Sequence, residues 1–161
     1  MIRWIGDREA PLILYVVRAA LLSAVPSFAI AAALFFVLPE AVLAQADAIA
    51  DPGPSNLLVE AFGYVVFAPV VETAGMALLF VLLRWLHVPA WGQVAVQVVV
   101  WSALHALIAP IWGVTVAWSF LVFSLVYLAQ ERRSGIHAFI ATTLVHAVQN
   151  AVATSLMYLP L

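Results

Sequence analysis

The chain has 161 residues, of which 66% are hydrophobic and 9% charged, with a formal net charge of -2 and a mean hydropathy of +1.13. A water-soluble domain is roughly 45–50% apolar and about 25% charged, so a chain this short cannot hide the excess in a core and is expected to dissolve in lipid. The absence of cysteine excludes disulfides, zinc–thiolate centres and thiol nucleophiles, and scattered arginines leave no basic face for nucleic acid.

A membrane-crossing helix needs about 20 mostly apolar residues, and five stretches qualify. In chain order they run from about Pro11 to Leu38, Leu57 to Leu86, Ala90 to Ala109, Trp112 to Gln130 and Ile136 to Leu159. Only the connection from Pro39 to Asn56 is long. It holds Asp47, Asp51 and the breakers Pro52-Gly53-Pro54, which mark an exposed loop. The expected fold is therefore all-α, a polytopic transmembrane helical bundle of about five spans. Residues 1–161 form a single membrane domain.

Arginines orient it. Arg3 and Arg8 precede the first span, Arg84 ends the second, and Arg132 and Arg133 separate the fourth from the fifth. The other two connections carry no arginine or lysine, so the positive-inside rule puts the N-terminus in the cytoplasm and the C-terminus outside. Ala44-Gln45-Ala46 resembles a signal-peptidase site. The preceding apolar run is longer than the usual 7–15 residues, however, and Asp7 and Glu9 spoil a basic leader. A retained first helix is expected, with Arg18 reaching toward the cytoplasmic face. Trp85, Trp91 and Trp112 fall at interfaces as belt anchors.

Ionisable groups inside spans are costly, about 2.5–3.5 kcal/mol for a central charge on insertion scales, and mark functional sites by default. Glu72 lies mid-span with no arginine or lysine within a turn. It fits both a neutral acid hydrogen-bonded to a neighbouring helix and a general base or acid. His105 lies late in the third span. His146 and Asn150, at i and i+4, share a face of the fifth, and Thr142 and Thr143 one turn earlier are placed to orient the His146 ring. Interhelical polar contacts of about 0.6 kcal/mol each account for such residues without chemistry. One Glu, two His and one Asn on three spans, against an otherwise apolar background, favour a site. Glu60, His87 and His137 fall at span boundaries and read as boundary residues, while Gln97 and Gln149 carry no assignment.

In their order, Glu72, Trp101-x-x-x-His105 and His146-x-x-x-Asn150 resemble the CPBP family of intramembrane proteases. That family includes the type II CAAX prenyl endopeptidases, bacteriocin-processing and immunity proteins and related glutamic-type bacterial enzymes. The resemblance covers about Ala61 to Leu156, giving a protease-like core of about 57–159 and an extra N-terminal span of about 11–38. The family motifs are Glu-Glu-x-x-x-Arg after a proline, Phe-x-x-x-His, and His-x-x-x-Asn or Asp. Here Pro69-Val70-Val71-Glu72 supplies the first glutamate, but Thr73 and Ala77 stand where the second glutamate and the arginine are expected, and Trp101 replaces the phenylalanine.

The resemblance implies a catalytic set of Glu72, His105, His146 and Asn150. Glu72 and His105 would activate a water for attack on a peptide carbonyl, and His146 and Asn150 would stabilise the oxyanion. The implied partners are the bilayer and a membrane-associated protein substrate, the implied location is a bacterial inner membrane, and no cofactor is required. A zinc-dependent form would use Glu72, His105 and His146 as ligands. Two other classes stand beside it: a b-type haem protein ligated by His105 and His146, and a non-catalytic scaffold or immunity protein. From the cytoplasmic ends, His105 and Asn150 lie about 14 residues deep, roughly 21 Å, in the outer half of a ~30 Å core.

Overall fold

Each apolar run becomes a helix because, in lipid, a backbone without internal hydrogen bonds has no water to turn to. The computed structural model describes residues 10–40 and 57–157, with Ile5 and Leu43. Arg3, Asp7, Arg8, Glu9, Ala44-Gln45-Ala46, Asp47, Asp51, Pro52-Gly53-Pro54 and Leu159 lie outside the described residues. Helix α1 is Leu12–Val37. Helix α2 is a continuous rod of Leu57–Phe62, a π-helical turn Gly63–Phe67, and Ala68–Trp85. Then come α3 (Ala90–Ala106), α4 (Pro110–Glu131) and α5 (Gly135–Met157). The described residues contain no strand, so the fold is the expected all-α bundle.

Four helices are long and apolar enough to cross a membrane: α1, α2, α4 and α5. Helix α3 has 17 residues, about 26 Å at 1.5 Å per residue, a little short of a ~30 Å core. It ends at Ala106, earlier than the expected Ala109, because Pro110 begins α4. The residue before a proline is driven out of helical geometry, and Ala109 is extended at φ -143°, ψ 124°. At the other end, α2 closes with His87 in the left-handed region at φ 58°. The N–H of Val88 reaches Leu83 and that of His87 reaches Arg84, both at 2.9 Å. That is a Schellman turn, which satisfies carbonyls the helix end would orphan.

Helix α4 is central. It packs most extensively on α3, then on α5 and α1, while α2 leans mainly on α5 and touches α3 sparsely. The close α3–α4 approach rests on Gly113, where a Cβ would lie 2.6 Å from the Ala106 Cβ and 2.7 Å from the Ser102 carbonyl. The core joins Tyr15 and Ala19 of α1, Phe80 of α2, Phe120 and Phe123 of α4, and Val145 of α5. Large apolar side chains such as Ile13, Phe36, Leu58 and Val99 point outward. In water such a surface would associate; in a bilayer it is the solvated face, as befits an integral membrane protein. Arg84 pairs with Glu131 where α2 and α4 end together.

Two prolines interrupt helices, and a side chain from another helix repairs each break. Pro26 in α1 has no N–H to give the Leu22 carbonyl, and the Trp118 indole N–H of α4 donates to that oxygen at 2.8 Å. Pro69 in α2 accounts for the π-helical turn just before it. There the Ala68 N–H goes to the Gly63 carbonyl, and position 69 offers no N–H, so the Tyr64 carbonyl is left over. Asn150 Nδ2 of α5 donates to it at 2.8 Å.

Candidate active site

Glu72 sits one turn beyond Ala68, on the stretch of α2 that follows the π-helical turn, and His105 is one residue from the end of α3. His146 lies midway along α5. The Glu72 Oε2 is 4.0 Å from His105 Nε2 and 3.8 Å from His146 Nε2. Three side chains from three helices therefore meet around one carboxylate oxygen. Both gaps exceed a direct hydrogen bond and are short enough for one water to reach across.

The imidazoles are held in different ways. His105 Nδ1 lies 2.8 Å from the Trp101 carbonyl; a carbonyl only accepts, so Nδ1 carries a proton, and Nε2 is the nitrogen that faces Glu72. His146 is clamped by aromatic rings. It stacks on Phe123 at 4.5 Å and 28° and meets the Phe120 edge at 6.0 Å and 80°, and Phe120 also touches His105 at 5.3 Å. The expected threonine support is not made. Thr142 Oγ1, Thr143 Oγ1 and His146 Nδ1 are all buried and have no hydrogen-bond partner among the described residues. Packing against α4 orients this ring.

Glu72 Oε2 is likewise buried and unbonded among the described residues. Interhelical polar contacts stabilise a bundle through direct hydrogen bonds, and this carboxylate oxygen makes none, so packing does not explain it. Asn150 is different: one N–H is committed to the Tyr64 carbonyl, which leaves its second N–H and its oxygen. Thr73 is fully buried and Ala77 packs on the core, so the α2 face where the resembled motif calls for Glu and Arg carries no charged group at these positions.

Two glutamines without an assignment from sequence turn out to be structural clasps. Gln97 donates to the Met76 carbonyl at 2.8 Å and accepts the Trp101 indole N–H at 2.9 Å. Gln149 donates to Ser119 at 2.6 Å and accepts from Ser23; Ser119 also bonds Ser27 at 2.7 Å. This buried set ties α1 to α4 and α5. The signal for Gln97 was its spacing: 97, 101 and 105 fall four apart on one helical face.

A cavity of about 470 Å³ lies beside the site toward the ends of α1 and α5, with His105, Asn150, Gln149 and Tyr64 on its wall next to Phe35 and Trp112; Glu72 and His146 are not on that wall. A second, about 510 Å³, is a groove of α1, α3 and α4 lined by Ile30, Trp91, Val98 and Leu121. Its wall is almost wholly apolar and holds none of these polar groups, so it belongs with the lipid-facing surface. Tetrahedral zinc would hold its nitrogen and oxygen ligands about 3.3 Å apart, closer than the gaps at Glu72. Among the described residues no group of three His, Cys, Asp or Glu side chains stands at ligating spacing. Comparison with protein-family models, curated proteins and solved structures gives no match.

Proposed function

We propose that this integral membrane protein is an intramembrane endopeptidase that hydrolyses a peptide bond of a membrane-associated protein in a bacterial inner membrane. The observation that carries the reading is the half-buried Glu72 carboxylate, whose Oε2 has no hydrogen-bond partner among the described residues and lies within 4.0 Å of two imidazole nitrogens. A water that donates one O–H to Glu72 Oε2 and the other to His105 Nε2 keeps its lone pairs for a carbonyl carbon. Glu72 then takes the proton as general base. His146 and the spare Asn150 N–H supply donors for the oxyanion in a site shielded from bulk solvent. The cavity offers a route for a substrate strand. Since Arg84 and Glu131 mark one end of the bundle and His105 the far end of α3, cleavage is expected near the extracytoplasmic face.

The test is a survey of membrane-protein N-termini in cells producing the wild type, Glu72→Gln or His146→Gln. New N-termini that depend on both residues are expected; an identical set in all three refutes the enzyme. Thr73 and Ala77 favour a second reading, a non-catalytic scaffold or immunity protein, which predicts that both variants keep full biological activity. A zinc-dependent form predicts stoichiometric zinc in elemental analysis of purified protein, with Glu72, His105 and His146 drawn about half an ångström or more closer together. A bis-histidine haem predicts a Soret band, and its macrocycle would displace Glu72 from between the two rings.

A further inference from the structure

Glu72 and His105 face each other across a sparsely packed seam, between α2 and α3. Extensive packing does not set their separation, so something local must. Two contacts hold the seam. The Trp101 indole lies against Gly75, where an added Cβ would come within 3.0 Å of two ring carbons. One residue on, the Met76 carbonyl accepts from Gln97 Nε2 at 2.8 Å, and the other end of the same amide receives the Trp101 N–H at 2.9 Å.

We propose that Gln97 is a positioning residue that clasps α2 to the Trp101 ring and thereby sets the gap between Glu72 and His105. This rests on the peptidase reading for its consequence in catalysis, but not for its geometry. Met76 is one helical turn from Glu72 on α2, and Gln97 is two turns from His105 on α3, so the clasp acts on the same faces as the site. The side chain is fully buried, where an amide is tolerated only with its groups paired. Its grip on the indole extends further. Trp101 stacks flat on Phe120 at 5.3 Å and 9°, and Phe120 touches both histidine rings. The Trp101 carbonyl receives the His105 Nδ1 proton. Leucine at position 97 would free the indole to rotate and leave the Met76 carbonyl unpaired, so α2 and α3 should separate. Neutral glutamic acid there keeps an O–H for Met76 and a carbonyl for Trp101.

The experiment uses the full chain in lipid nanodiscs with Gln97→Leu and Gln97→Glu. The chain lacks cysteine, so spin labels on Leu78→Cys and Val99→Cys report the α2–α3 distance without background. Nitrogen-15 shifts of the His105 ring, assigned with His105→Gln, report its surroundings. Gln97→Leu is expected to lengthen and broaden the spin–spin distance, shift the His105 signals and reduce the Glu72-dependent N-termini at least tenfold. Gln97→Glu is expected to restore all three at mildly acidic pH and lose them as its carboxyl ionises. Unchanged distances and His105 shifts in Gln97→Leu overturn the clasp, whatever the activity. Should that variant fail to fold, a Gln97→Glu protein whose distance and His105 shifts do not respond to pH overturns it as well. Moved distances and shifts in a protein whose wild type produces no Glu72-dependent N-termini leave the clasp standing and sink the peptidase.

Discussion

The repair at Pro26 makes a prediction about non-additivity. Trp118→Phe keeps an aromatic ring but removes the N–H that bonds the Leu22 carbonyl at 2.8 Å. Inside a protein an unpaired carbonyl costs about 1–3 kcal/mol, whereas interhelical hydrogen bonds in membranes average about 0.6 kcal/mol with a maximum near 1.7. The two ranges overlap near 1 kcal/mol, the expected hydrogen-bond loss in the parent chain. In a Pro26→Ala background, position 26 regains its N–H, the Leu22 carbonyl is bonded within α1, and Trp118→Phe should cost only its lost packing. The packing change is common to both backgrounds and cancels in the double-mutant cycle, so the coupling energy isolates the repair at about 1 kcal/mol. Pulse proteolysis across a titration of dodecyl sulfate into maltoside micelles measures each corner of the cycle. A coupling energy below about 0.3 kcal/mol, the usual limit of additivity, would refute the argument that Trp118 satisfies the carbonyl Pro26 orphaned.

Other outcomes follow from the same contacts. Glu72→Gln should leave unfolding stability unchanged or slightly raised in the same titration, because Oε2 makes no hydrogen bond among the described residues to lose; a loss above about 1 kcal/mol would mark Glu72 as structural. Gly113→Ala should destabilise by about 1–3 kcal/mol through overpacking against Ala106 and Ser102, and a neutral result would show that α3 and α4 slide apart freely. The Arg84–Glu131 pair is partly exposed, so Arg84→Ala should cost at most about 1 kcal/mol and less as salt rises; a salt-independent cost would contradict a screened surface pair.

Much of the fold was legible before folding was considered. The expected span from Leu57 to Leu86 is matched by α2 ending at Trp85, and the expected Ile136 start of the last span by α5 at Gly135. Lipid makes this possible, because backbone hydrogen bonds must be made within each apolar segment and segment length then nearly dictates the helix. Errors fell where one proline alters a neighbour, as at Ala109 before Pro110. That Glu72, His105 and His146 called for an explanation was legible as well, because ionisable groups are rare in such segments. Their partners were not. The expectation that Thr142 and Thr143 orient His146 followed from shared helix face alone, yet the ring is held by Phe120 and Phe123 of another helix.

Composition and order therefore determined that this protein lives in a membrane, roughly where its helices lie, and which polar side chains need explaining, since each is a local property read against lipid. Which groups meet was decided only by the packing of α2, α3 and α5 around α4. Across helices, hydrogen bonds and ring contacts depend on rotation and spacing, which no single segment encodes. Glu72 thereby came to face two imidazoles, Asn150 to close a gap left by Pro69, and Gln97, without an assignment from sequence, to hold the seam on which the Glu72–His105 distance depends.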